Sequence, residues 1–533
     1  MGRDGGLRTT WSAKLKASFA EDPWRWVLAG SAVLALAIYL AGLARAPATM
    51  SADEASSAYN AWAIGHYGVD EYGRSFPLYF EAFHDWHSPL YYYLLAPLTW
   101  VLPLTAYVVR LPAALCGLGI CALATLTAHR LTGSRAVATL TLLTTAMMPW
   151  LVMESRFAVD TITQTVCVTA AVYCLVRAER GGGPKWFLAG GCALALAIFG
   201  YATGRLEVAL LVGGLVLIHL PRPRAAGWWL APLPAIPAYG LLGLWLIGHP
   251  GALTDRFGSI SIFGGGASPF EALLRFAGNF FTHFGPVFLL FVGDLNMRQG
   301  TGVGGVLMLA SVPAIALGVV VCWRRRREAL ARFALVGILL APIPADLTRE
   351  GIPHAPRTAT MIPFVLLLGA YGWSELLPIL GRRPRAARIL AGVALVQAAL
   401  YFGDLYITYP LRAEKLFDAG VADAVLRAHA TSVGHVAVLS RDLDQPYIQA
   451  LTALRPDPRG TLDTKLAKLG LRQADTGDAF TGAQPGDVVV APPWNRPPRG
   501  TTLLFDEKQT GPWPWSAPVV VANVYRVSAA PAP

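Results

Sequence analysis

The feature that most constrains this chain is a succession of long apolar runs, beginning at Trp26–Leu43 and continuing past Val393, with short basic clusters between them. A run of about twenty apolar residues crosses a hydrocarbon core of roughly 30 Å as a helix, and there the backbone satisfies its polar groups only within the segment. The chain therefore reads as mainly α, a polytopic helix bundle in a membrane. Charged residues make up 14% of the 533 and hydrophobic ones 54%, whereas an ordinary soluble enzyme carries about a quarter charged. The net charge of +11 sits in clusters typical of cytoplasmic loops and does not point to nucleic acid.

Those clusters are the N-terminal segment with Arg3, Arg8, Lys14 and Lys16, then His129–Arg135, Arg177–Lys185, Arg222–Arg224, Arg324–Arg327 and Arg382–Arg388. If each is cytoplasmic, an even number of crossings separates any two. Parity removes Leu90–Leu104 from the crossings. That run is short and interrupted by Pro97 and Pro103, and it reads as a helix in the outer interface with Tyr91, Tyr92, Tyr93 and Trp100 at headgroup depth. About eleven crossings remain, forming a membrane domain over residues 1–408 with a cytoplasmic N-terminus and a retained first helix. The outer segments are then Ala46–Ala106, the turns around Arg156 and Arg205, His249–Val303, Thr348–Ala359 and everything after Thr408.

Residues 409–533 change character, being richer in charge, Gly and Pro. Strands are expected at His435–Leu439, Asp487–Val490 and Val519–Val527, a helix at Gln445–Leu454, and loop at Asn495–Arg499 and the terminal Ala-Pro residues, giving a small outer α/β domain that serves as scaffold or lid. All six cysteines fall in apolar runs, so neither a disulfide framework nor a zinc site is expected.

Chemistry gathers on the outer side. Asp53-Glu54 follow the first helix, where two adjacent carboxylates need water, a cation or a task; the plainer reading is a solvated helix start capped by Ser51. Asp160 follows Glu154-Ser-Arg156 on the same side, either as a cap or as a second working acid. His84 and His87 stand three apart ahead of the tyrosine-rich helix, and this spacing is a weak metal signal. Arg205, Asp294, His354 and Arg357 lie in further outer turns, each open to a snorkelling or turn-forming role. Their gathering on one side of otherwise uncharged helices points to a polar cavity. Gly264-Gly265-Gly266 lacks the strand and Lys-Ser of a phosphate loop. The chemistry that fits is group transfer from a lipid-linked, phosphorylated donor, with carboxylates on the acceptor and arginines on the departing phosphate.

Asp53-Glu54, His87-Ser88-Pro89-Leu90-Tyr91-Tyr92-Tyr93, Arg110-Leu-Pro112, Ser155-Arg156-Phe157 ahead of Asp160, Phe288–Asp294 with Arg298, and His354-Ala-Pro-Arg357 together resemble motifs of the GT-C membrane glycosyltransferases. The nearest subgroup is similar to the protein O-mannosyltransferases, the lipid A aminoarabinose transferases and their bacterial relatives, over roughly residues 25–405. The resemblance implies a bacterial plasma-membrane enzyme that takes sugar from a polyprenyl-phosphate donor at the periplasmic face and gives it to a lipid, glycan or protein acceptor. It implies Asp53 as lead catalytic carboxylate, Glu54 as its neighbour and Asp160 as second acid. His87, Arg156, Arg205, Asp294, His354 and Arg357 are implied for donor phosphate or substrate. No cofactor is required, and a divalent metal at Asp53, Glu54, His84 and His87 has no further support. Trp86-His87-Ser88 stands where aminoarabinose transferases carry Glu-Lys and proline, which weakens that substrate. The alternative from another class is a transporter or flippase of a lipid-linked or anionic solute, which places its ionisable groups at mid-membrane.

Overall fold

A computed structural model describes residues 22–83, 85–220, 227–417, 420–494, 500–509 and 519–528. His84, the Arg222–Arg224 cluster, the basic residues up to Lys16, Asn495–Arg499 and the terminal Ala-Pro residues lie outside the described residues.

Every run expected to cross is helical: Pro23–Leu40, Ala106–Thr132, Arg135–Ala146, Thr161–Arg177, Lys185–Ala197, Gly204–His219, Ala235–Gly248, Val312–Arg324, Ala329–Leu340, Met361–Arg382 and Pro384–Gly403. Among the described residues, 7 helical stretches are long and apolar enough to cross a membrane, one of them starting at Thr161. Local chemistry marks their ends. Thr105 and Ser134 cap the second and third helices, and Gly133, at φ +69°, closes the second in the left-handed region that suits glycine. Small residues let backbones meet: a Cβ on Gly372 would lie 1.6 Å from the Ala314 carbonyl oxygen, and one on Gly318 would lie 1.9 Å from that of Leu368.

Leu90–Leu104 is not among the helical stretches long and apolar enough to cross a membrane. It forms two short helices, Leu90–Leu95 and Leu98–Val101. The expectation that its aromatic residues sit at headgroup depth needs correction. Trp100 is exposed, but Tyr91 and Tyr92 are buried. Tyr91 Oη donates to the Val109 carbonyl at 2.8 Å, and the Tyr92 ring stacks on Phe80 at 4.2 Å. Tyr92 so fastens an antiparallel hairpin of β1 (Phe80–Ala82) and β2 (Asp85–His87), while Tyr91 ties the segment to the helix Ala106–Thr132.

The tail carries a larger sheet than patterning predicts. β3 (Ala437–Ser440), β4 (Leu471–Ala474), β5 (Val488–Ala491), β6 (Thr501–Gln509) and β7 (Val519–Val527) lie in the order β4-β3-β5-β7-β6. β3 is parallel to β4 and β5, while β5–β7 and β7–β6 are antiparallel. β4 and β6 escape a hydrophobic reading because they are edge strands with polar residues. The helices Val421–Thr431 and Pro446–Leu454 cover one face, and their Val421, Ala424, Ile448 and Leu451 share a core with Ala52, Ala55, Tyr59 and Trp62 of the helix Ala52–Tyr67. Hydrogen bonds from Thr452 to the Ala55 carbonyl at 2.8 Å and from Tyr59 to the Pro456 carbonyl at 3.1 Å tie the same faces. The tail thus packs directly on the helix that bears Asp53.

Candidate active site

The helix Ala52–Tyr67 starts in a capping box. Ser51 Oγ accepts from the Glu54 N–H at 3.3 Å, and Glu54 Oε2 accepts from the Ser51 N–H at 3.1 Å. Glu54 is fully buried. Arg110 meets it with a fork, Nε to Oε1 at 2.7 Å and Nη2 to Oε2 at 2.8 Å, and the Ala158 N–H donates to Oε1 at 3.1 Å. Arg110 also donates to the carbonyls of Leu43, Pro47 and Thr49. Glu54 therefore clasps four stretches of chain, and its lone pairs are committed. Expected as the catalytic neighbour of Asp53, Glu54 is instead found buried and fully engaged in these bonds.

Asp53, one residue earlier, is half-buried. Among the described residues no group donates a hydrogen bond to its carboxylate. Asp160, at the start of the Thr161–Arg177 helix, is 7% exposed and accepts from the Ser88 N–H at 3.0 Å. Burial pushes its carboxyl up to about 6, against the pull of His87 and the Ser88 N–H, with Asp53 adding to the rise. Asp160 thus lies within electrostatic reach of both Asp53 and His87. Tyr92 faces Asp160, Glu71 and Asp53.

Glu71 was not legible as a site residue. It is 3% exposed, accepts from Asn60 Nδ2 at 2.7 Å, and burial raises it to about 7, against the Asn60 hydrogen bond and the Lys465 charge. Lys465, from the tail, donates to the Glu71 carbonyl. The available signal was a second carboxylate pair, Asp70-Glu71, in the first outer segment.

Arg156, expected at the donor phosphate, lies deep in the protein. It is 1% exposed, and its terminal nitrogens donate to the carbonyls of Ile38, Ala41, Gly42 and Ala46 and to the Tyr406 hydroxyl. It caps the C-terminal end of the first helix, where orphan carbonyls attract a cation, and among the described residues only its buried Nε is without a partner. Arg205 contrasts with it. Its Nε and Nη2 are buried and unpartnered among the described residues, and its guanidinium lies 4.6 Å from the Tyr79 ring centre.

The remaining expected residues meet around the loop Thr348–Ala359. Asp294 accepts from the Asn296 N–H at 2.8 Å and the Ala355 N–H at 2.7 Å, while burial lifts it to about 6. His354 is 9% exposed, and its Nδ1 accepts from the Arg357 N–H at 3.3 Å. Burial, with Arg357 and His283 nearby, holds it well below the ordinary imidazole range. Both residues, expected at the substrate, hydrogen-bond the backbone of the loop. Arg357 donates to Thr348 Oγ1 and the Glu350 carbonyl, each at 3.0 Å, and faces Tyr201, which in turn faces Asp160 and Glu154. Beside it, a cavity of about 490 Å³ is lined by Arg256, Ser259, Ile260, Arg349 and Glu350. Arg256 reaches Glu350 at 3.4 Å and Asp85 of β2 at 3.9 Å. Among the described residues no three His, Cys, Asp or Glu side chains gather as a metal site, and the His84 half of the HxxH pair lies outside them.

What the arrangement offers is an open carboxylate at Asp53 near the buried acid Asp160, which also faces His87, and elsewhere an arginine, Arg205, with two unpartnered nitrogens among the described residues. No curated protein sequence matches the chain. The family described as dolichyl-phosphate-mannose-protein mannosyltransferase matches residues 86–247. Among solved structures, ArnT from Cupriavidus metallidurans bound to undecaprenyl phosphate superposes with a TM-score of 0.58 at 15% identity, covering 95% of this chain and 98% of that one. Its apo form gives 0.56 at 14%, over 96% and 100%. An Archaeoglobus fulgidus oligosaccharyltransferase tethered to an acceptor peptide reaches 0.49 at 12%, over 89% and 70%, too distant to add to the argument. The chain thus has the fold of the GT-C membrane glycosyltransferases, with residues 86–247 matching the mannosyltransferase family.

Proposed function

We propose that the chain is a glycosyltransferase of the bacterial plasma membrane that moves a sugar from a polyprenyl-phosphate donor to a lipid, glycan or protein acceptor. In this reading the N-terminus is cytoplasmic and the tail domain and active site face the periplasm. The observation that carries it is the open carboxylate of Asp53 beside Asp160 and His87, in a fold shared end to end with ArnT, which was solved with undecaprenyl phosphate.

Asp53 accepts a hydrogen bond from the acceptor hydroxyl or amine and takes its proton as that atom attacks the anomeric carbon. The bond from that carbon to the phosphate oxygen breaks, and its electron pair leaves with the polyprenyl phosphate. Arg357 and Arg205, charged at any physiological pH, stabilise the charge gathering on the departing oxygens. Asp160 grips the backbone at Ser88 and so sets the neighbouring His87 toward the phosphate. Nothing in the matches supports the transporter alternative.

The test is transfer of labelled sugar from a panel of polyprenyl-phosphate donors into membranes lacking the native copy, comparing the intact chain with Asp53→Asn. Label should appear with the intact chain alone. Equal transfer by the variant removes Asp53 from the chemistry, and no transfer by a well-inserted intact chain from any donor overturns the reading.

A further inference from the structure

The helix Pro269–His283 is built inside out. Phe270, Leu273, Leu274 and Phe281 are 55–72% exposed, while Arg275, Asn279 and His283, spaced by four, turn their polar groups toward the protein. Arg275 donates to the Ile262 carbonyl at 3.0 Å. Asn279 Nδ2 donates to the carbonyls of Asp346 at 2.9 Å and Thr348 at 2.7 Å. His283 Nδ1 lies 2.6 Å from Asp346 Oδ1, both side chains being fully buried. The His354 N–H donates to His283 Nε2 at 3.1 Å.

That last bond fixes the ring. With Nε2 accepting, the imidazole proton sits on Nδ1 and points at the Asp346 carboxylate, so one carboxylate selects the tautomer that receives the loop. Both ends of the loop carrying Arg357 depend on this face. Thr348, held by Asn279, accepts from the Arg357 guanidinium, and His354, held by His283, accepts from the Arg357 backbone.

We infer that Asn279, His283 and Asp346 are positioning residues for Arg357: they present its guanidinium to the donor phosphate. This rests on the proposed transferase reading. Asp346→Asn is the informative change, because an amide can turn its NH2 toward Nδ1 and favour the other tautomer, whose Nε2–H then opposes the His354 N–H. The experiment measures donor and acceptor KM and kcat for the full chain, with Asp346→Asn, Asn279→Asp and Asp346→Glu alone, and Asp346→Asn combined with Arg357→Ala. The expected result is a rise of about tenfold or more in donor KM for Asp346→Asn, acceptor KM within about twofold, and recovery in Asp346→Glu. In the Arg357→Ala background the same change adds less than about twofold, since a residue acting through another is silent once that other is gone. Equal losses for both substrates, or full additivity, overturn the inference. Ring ¹⁵N signals of His283, assigned by their loss in His283→Gln, provide a readout independent of activity. Protonated Nδ1 with accepting Nε2 in the intact chain, reversed in Asp346→Asn, supports the relay, and any other state overturns it. If the intact chain transfers no sugar, the transferase reading fails while this spectrum still decides the relay.

Discussion

Two clusters of polar side chains at the same end of the bundle are handled in opposite ways. Around Asp294, His283, Asp346 and His354 almost every buried polar atom has a partner. Among the described residues, by contrast, the Asp53 carboxylate and, elsewhere, two Arg205 guanidinium nitrogens have none. Leaving charged groups unpaired costs stability, so the tied cluster reads as framework and the open one as the place where a substrate completes the hydrogen bonds. Neighbours in sequence divide the same way: Asp53 is open and Glu54 is locked.

The sharpest way to break this contrast is to neutralise each neighbour in turn. Asp53→Asn is expected to cut transfer by about 10³-fold with melting temperature changed by no more than a few degrees. Glu54→Gln is expected to do the reverse of that division of labour, lowering stability by about 3–5 kcal/mol because Arg110 is left as a buried, unpaired charge. Thermal unfolding of both in detergent checks this, and a stable, inactive Glu54→Gln variant would merge the two roles.

A second contrast concerns the arginines. Arg205→Ala is expected to lower donor use by about ten- to hundredfold with little effect on unfolding. Arg156→Ala is expected to destabilise by about 1–3 kcal/mol through orphaned carbonyls of the first helix. Donor KM and unfolding measured on both variants separate a substrate contact from a helix cap.

The smallest effect concerns Glu71. Its carboxyl, raised by burial from 4.5 to about 7, binds its proton more tightly in the folded than in the unfolded state. Its contribution is therefore complete below pH 4.5 and is lost as pH rises through about 7. Glu71→Gln keeps an acceptor for Asn60 and cannot ionise, so the intact chain should lose Tm relative to the variant between pH 5 and pH 8. Parallel Tm profiles would show that Glu71 is charged in the folded chain.

Much of the fold was legible because membrane helices announce themselves by length and apolarity. That Leu90–Leu104 forms no single long helix was readable from Pro97 and Pro103, which do not favour one continuous helix. Tyr91 and Tyr92 were misread because aromatic residues beside a membrane suit an interface and a packed hairpin equally well, and only the presence of Phe80 and Val109 chose between them. In the candidate site, residue type indicated which residues gather but not which are spent. His283, Asn279 and Asp346 left no signal, since their partners lie up to 71 residues away.

The sequence by itself determined the bundle of apolar helices and the Ser51–Glu54 cap, because hydrophobic length and capping are properties of adjacent residues. Which acid stays open was decided only in three dimensions. Consecutive helix positions point about 100° apart, and Arg110, 56 residues beyond Glu54, reached one carboxylate and left its neighbour free.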